Sequence, residues 1–226
     1  MIEQEIENGV EVSGETRIKI ERNLTLDVKA RSSTERAAAM SIEAPYVEFL
    51  NYRFYGCHDT LYTGGSPLYF KNCLIEGQTD YIFGGSNAVF DSCELRWKGF
   101  SANPNGGNIT ASSTEGTGYL FYNCKVTKNK ALQVKPGDFG RPWRQTAQVL
   151  YINTTLEDDT TINADGWGAM GGTPPEEVEG FKEYGTIYPN GSPVSTTQRK
   201  GHVLSKKDVE YLDIKEYMNN WTPSFI

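Results

Sequence analysis

An all-β solenoid, a single-stranded parallel β-helix forming one domain over residues 1–226, is the fold class the sequence predicts. Three observations carry that expectation. Segments 49–54, 70–75, 90–95, 121–126 and 151–156 align so that Asn51, Asn72, Ser92, Asn123 and Asn153 share one register, at intervals of 21, 20, 31 and 30 residues. Each segment alternates apolar and polar residues at strand period, then breaks at Gly, Asn or a charged residue. The chain has 23 glycines and little helical periodicity, and one short strand reused every 20 to 30 residues describes stacked coils rather than hairpins.

The elements follow in order. Residues 16–20 and 23–28 alternate well enough for strands. From Asn51 onward the register residues are expected to form side-chain ladders inside or along the stack. Cys73, Cys93 and Cys124 share one ladder position, so they read as an internal stack of small side chains rather than disulfides. With Cys57 they lack metal-type spacing, and with two histidines in the chain no zinc site or other metal is expected. The two longer intervals imply loops inserted on one side of the coil, where solenoids build binding faces. Near the end, Ser205 with Asp208 gives a helix-start pattern ahead of Val209, Leu212 and Tyr217. A short helix over 205–220 is therefore expected to pack outside the stack, anchored by Trp221.

A net charge of -7 argues against nucleic acid and against an anionic membrane surface as partners. No apolar stretch is long enough to span a bilayer, and the first residues do not form a signal peptide. Oligomeric state is not set by the sequence.

Asp59 and Asp80 are 21 residues apart, one repeat, so stacked coils bring them about 4.8 Å apart. Two carboxyls that close do not both ionise cheaply, which gives an acid beside a nucleophile or base. Counting back 12 residues from Ser92, Asn123 and Asn153 gives Asp80, Ala111 and Arg141. On that count Arg141 projects from the face of Asp80, two coils or about 10 Å away, with Ala111 between. Its guanidinium is expected to keep Asp80 ionised and leave the proton on Asp59. Asp138 is a third carboxylate nearby, read as a turn residue.

These residues carry a resemblance. Asp-Thr-Leu-Tyr (59–62), the block 77–84, Gly-Arg-Pro-Trp (140–143) and Asp-Gly-Trp (165–167), in this order, resemble the pectin methylesterase family of carbohydrate esterases. The resemblance implies a right-handed parallel β-helix and hydrolysis of galacturonate methyl esters in methylated homogalacturonan, without a cofactor. It implies Asp80 as nucleophile, Asp59 as general acid and then base, and Arg141 as the holder of the nucleophile. Trp143 and Trp167 would line the sugar cleft, a role suited to apolar indole faces, with Tyr62 and Phe83 as further sugar contacts. An extracellular or periplasmic location is expected on the same ground.

Two departures from the family pattern stand out. Where the family usually carries glutamines that donate to the oxyanion, this chain has His58 and, by ungapped counting, Arg36. Both can donate, and a cation stabilises developing negative charge. The N-terminal coils and cap typical of the family are short or missing in residues 1–33. The alternatives are a pectic-polysaccharide-binding β-helix with weak or no esterase activity, and a related hydrolase of another ester or thioester.

Overall fold

The computed structural model describes residues 36–99, 106–114, 116–131 and 134–224, together with the backbone of four earlier strands, Ile2–Glu5, Val10–Val12, Lys19–Ile20 and Leu24–Asp27. Two of these strands fall in the segments expected to alternate. The rest of those segments lies outside the described residues.

The chain winds as a right-handed parallel β-helix of three parallel sheets. The first holds seven strands, from Ile2–Glu5 to Thr155–Leu156; the second six, from Val10–Val12 to Asp138–Pro142; the third eight, from Lys19–Ile20 to His202–Val203. Every coil contributes a strand to each sheet in turn until the last coils, where the first and second sheets end.

The corner between the third and first sheets explains the ladder residues. Asn51, Asn72, Ser92, Asn123 and Asn153 all have φ between 53° and 62°. That left-handed region suits a short polar side chain more than a branched one. Their side chains line the outside, and Asn153 Nδ2 donates to Asn123 Oδ1 at 3.2 Å. The next residue in each coil turns inward, so Cys73, Cys93 and Cys124 are buried free thiols, as the repeat implied.

Identical register lets aromatic rings stack along the axis. Phe49, Phe70, Phe90, Phe121 and Tyr151 form a column with successive ring centroids 5.0, 4.6, 4.7 and 4.4 Å apart. All five are fully buried, and each ring adds both area burial and a stacking contact to its neighbours. The column fills the interior at the coil spacing that the backbone hydrogen bonds of the parallel sheets set.

The expected C-terminal helix is two single turns, Lys206–Val209 and Ile214–Tyr217. Asp213 breaks it by accepting the backbone N–H of Lys215 at 2.9 Å, the capping bond that Asp favours over a helix interior. Both turns pack outside the third sheet, as predicted. The fully buried contact is Met218, beside Tyr69, Val89, Leu120 and Leu150, while Trp221 lies at the rim against Tyr46.

Candidate active site

The second sheet and the corner before it build the site. Along the strands Met40–Ile42, Leu61–Thr63, Ile82–Gly84, Asn108–Ser112 and Asp138–Pro142, register aligns Ser41, Tyr62, Phe83, Ala111 and Arg141 in one outward column. Their neighbours Met40, Leu61, Ile82, Thr110 and Gly140 point inward. This alternation decides which side chains reach solvent.

Asp59 and Asp80 occupy the corner three residues ahead of Tyr62 and Phe83, both with left-handed backbone, φ 59° and 50°. Equal corner length in the two coils keeps them in step: His58 bridges Thr79, and the Asp59 N–H donates to the Thr79 carbonyl at 3.1 Å. Polar atoms of His58, Asp59 and Asp80 come within 4.8 Å of one another. Asp80 is buried and Asp59 half-buried.

Arg141 Nε donates to Asp80 Oδ1 at 2.8 Å and Nη2 to Oδ2 at 2.6 Å. The expected phasing needs correction, because Arg141 and Ala111 are in register with Phe83, three residues beyond Asp80. The guanidinium therefore reaches back diagonally, and the small Ala111 leaves its path open. The Asp80 carboxylate in turn raises the Arg141 pKa through that hydrogen bond, against burial.

Burial, with the charge of Asp80, pushes the Asp59 carboxyl above the ordinary range, against the pull of His58, Arg36 and Arg141. One carboxyl of the pair is thus biased toward holding a proton while its neighbour is held by a guanidinium. Arg36 and His58 both turn to Asp59: Arg36 Nε lies 3.6 Å from Oδ2 and His58 Nε2 3.3 Å from Oδ1. Arg36 bridges His58 on the adjacent coil, and its side chain is 75% exposed.

Of the predicted aromatic contacts, three come together. Tyr62 and Phe83 ring centroids are 5.1 Å apart and Phe83 and Trp143 6.3 Å, a half-exposed strip beside the acid pair. Trp167 does not join them. It bridges Gly140 and is stacked on Phe181 at 4.3 Å, only 2% exposed, and it lines a separate concavity with Asp138 and Asn163.

Sequence reasoning missed Asn108, and it assigned Asp138 to a turn. The two are register partners on adjacent strands, three residues ahead of Ala111 and Arg141, and so continue the corner column of Asp59 and Asp80. Counting from strand to strand instead of from the ladder asparagines would have found them.

A profile of the pectinesterase family matches residues 7–220. The chain belongs to the pectinesterase family. Pectinesterase 31 of Arabidopsis thaliana is 36% identical over 169 residues, covering 73% of this chain and 50% of the relative. A probable pectinesterase A of Aspergillus niger is 36% identical over 146 residues, covering 62% and 42%. The chain thus spans about half the length of the curated relatives it matches. Among solved structures, carrot pectin methylesterase superposes with TM-score 0.77 at 19% identity, covering 94% of this chain and 68% of that one. The enzyme of Erwinia chrysanthemi gives 0.72 at 24%, covering 89% and 70%. No helix among the described residues is long and apolar enough to cross a membrane.

Proposed function

We propose that this chain hydrolyses galacturonate methyl esters in pectin, with Asp80 as nucleophile and Asp59 as general acid and base. The carrying observation is the two-point clamp of Arg141 on Asp80 beside an Asp59 whose burial favours the protonated form. An Asp80 oxygen attacks the ester carbonyl carbon; the bond to methoxide breaks, and methoxide takes the Asp59 proton and leaves as methanol. The remaining acyl-enzyme is an anhydride. Asp59, now a base, takes a proton from water, and the resulting hydroxide attacks the sugar carbonyl. The bond to Asp80 breaks, freeing the acid product, which ionises in solvent.

The half-exposed strip of Tyr62, Phe83 and Trp143 suits the apolar faces of sugar rings. Family membership favours work outside the cytoplasm on cell-wall pectin. Arg141 already supplies the positive charge that a metal would bring to Asp80.

Methanol release from highly methylated pectin tests the reading. Asp80→Ala is expected to abolish release and Asp59→Ala to reduce it by about 10²- to 10⁴-fold, with the fold retained. An Asp80→Ala chain that keeps the normal rate discards the assignment.

A further inference from the structure

Arg141 sits on the end strand of the second sheet, Asp138–Pro142, with Asn108–Ser112 paired on one side. Along its other side runs an irregular stretch, 163–168, which turns at Gly166 with φ 75°. Three backbone bonds seat that stretch against the strand. Asn163 N–H donates to the Gly137 carbonyl at 2.7 Å, Phe139 N–H to that of Gly166 at 2.8 Å, and Gly168 N–H to that of Gly140 at 2.9 Å. Gly168 stands next to Arg141, where a Cβ on it would lie 3.6 Å from the arginine Cβ. The strand that carries the clamp on Asp80 is therefore braced on this side by a turn rather than a strand.

A buried arginine locks that turn. The Arg199 side chain is 2% exposed, and its Nη1 donates to the carbonyls of Asn163 at 2.7 Å and Ala164 at 2.8 Å. Its Nε donates to Glu183 Oε1 at 2.6 Å, and Thr186 Oγ1 donates to the other Glu183 oxygen at 2.7 Å. Glu183, 1% exposed, belongs to Gly180–Tyr184, a strand of the third sheet. The guanidinium carbon lies 5.5 Å from the centre of the Phe139 ring, two residues before Arg141. Gly166 completes the fit: a Cβ there would sit 2.6 Å from Arg199 Cδ, on a left-handed backbone that favours glycine.

Stability alone does not call for such a pair. Desolvating two charges offsets most of their attraction, and well-packed apolar residues of similar volume serve a fold as well. What a buried guanidinium adds is geometry, because its planar donors fix two carbonyls and a carboxylate at once. The part it fixes here is the turn against the Arg141 strand. Arg141 meets Asp80 by a diagonal reach with two short bonds, and a backbone shift of about 1 Å spoils a geometry of that kind.

We propose that Arg199 is a positioning residue: through the 163–168 turn it holds the Arg141 strand so that the Arg141 guanidinium stays on both oxygens of Asp80. Loss of Arg199 releases the carbonyls of Asn163 and Ala164, loosens the three bonds that seat the turn, and lets the end strand shift. The donor fork of Arg141 then no longer matches both oxygens. A side chain 2% exposed does not reach a substrate, so its loss acts on turnover and leaves binding alone. Its weight in turnover rests on the ester-hydrolase reading above, whereas its hold on the clamp does not.

The test follows the Arg141 Nε–H proton by NMR of the arginine side chains, with Arg141→Lys identifying its signal, alongside methanol release from methylated pectin. Wild type is compared with Arg199→Lys and with a double variant, Arg199→Met and Glu183→Gln, which leaves no unpaired buried carboxylate and still accepts from Thr186. In the double variant the Arg141 proton is expected to exchange with water about tenfold faster or more. There kcat is expected to fall by about tenfold or more, with KM changed by less than about twofold. Arg199→Lys keeps the charge opposite Glu183 but does not hold both carbonyls in plane, so it should fall between. Wild-type exchange at Arg141 in the double variant overturns the proposal, even where the melting temperature drops, because a merely structural role moves only the latter. If the double variant does not fold, Arg199→Lys decides by the same signal. Faster exchange in the variants of a chain that releases no methanol defeats the esterase reading and leaves the positioning standing; release by wild type with unchanged exchange in the variants does the reverse.

Discussion

Arg141 holds both oxygens of the Asp80 carboxylate, at 2.8 and 2.6 Å, although its backbone is in register with Phe83. A diagonal reach of this kind needs a long planar donor fork and a small neighbour, which Arg141 and Ala111 provide. Lysine, a point charge, does not match both oxygens at once. Arg141→Lys is therefore expected to lower methanol release by about 10²-fold, and Arg141→Ala by more. Removing the guanidinium also leaves Asp80 buried and unpaired. A loss of about 2 to 4 kcal/mol is expected in urea unfolding of Arg141→Ala, below the fully buried case because the guanidinium is partly exposed. A variant of Arg141 with normal turnover would remove the clamp from the mechanism.

Asp59 gives a pH signature with a definite sign. Burial and Asp80 raise its carboxyl, so the folded chain binds this proton more tightly than the unfolded chain does. Its contribution favours folding fully below the ordinary carboxylate pKa and is lost as pH rises through the raised value. Asp59→Asn removes the penalty of a buried charge. Its melting temperature is expected to exceed that of wild type by a few degrees at pH 8 and to show no such gain at pH 4. In the unsubstituted chain the basic limb of kcat/KM for methanol release should follow the same raised group, because the acid form is the one that protonates methoxide in the proposed mechanism. Equal melting differences at the two pH values would contradict the raised carboxyl.

The aromatic column predicts where stability is concentrated. Phe90 sits mid-column, 4.6 Å from Phe70 and 4.7 Å from Phe121, and is fully buried. Phe90→Ala opens a cavity that rigid coils above and below cannot close. A loss of about 3 to 5 kcal/mol is expected in denaturant unfolding. Phe90→Leu, which keeps most of the volume, should lose less than half as much. If the two variants lose equally, contact between rings rather than filled volume is what the column contributes.

Much of this molecule is written in its repeat, and the misreadings have one physical source. The Asn51 to Asn153 ladder was legible because a left-handed corner selects asparagine, and the thiol column because the residue after that corner turns inward, a place that Tyr52 and Thr154 take at the two ends. The acid pair was legible because the corner before the second sheet has the same length in both coils. Arg141 was displaced by three because the count ran back from Asn153 across a corner of variable length. Phe83 stands 9 residues before Ser92, whereas Ala111 and Arg141 stand 12 before Asn123 and Asn153. For Trp167 a motif match gives its position along the coil but not its exposure, which one step of strand parity decides.

Arg36 and His58 pose the sharpest question, because both face the acid rather than open space above the nucleophile. His58 Nε2 lies 3.3 Å from one Asp59 oxygen and Arg36 Nε 3.6 Å from the other. A donor engaged by Asp59 is poorly placed to stabilise an oxyanion on the substrate, and the 75% exposed Arg36 is screened by solvent besides. Both pull the Asp59 carboxyl down against burial and Asp80. The double variant Arg36→Gln, His58→Gln removes that pull and supplies neutral amides able to donate elsewhere. Two changes are then expected together: the basic limb of kcat/KM moves to higher pH, and plateau kcat rises by about tenfold or more as an oxyanion donor is gained. A fall in plateau kcat with the limb unmoved assigns the oxyanion to the present pair instead, since only a group acting on the transition state lowers the plateau without changing which proton is lost.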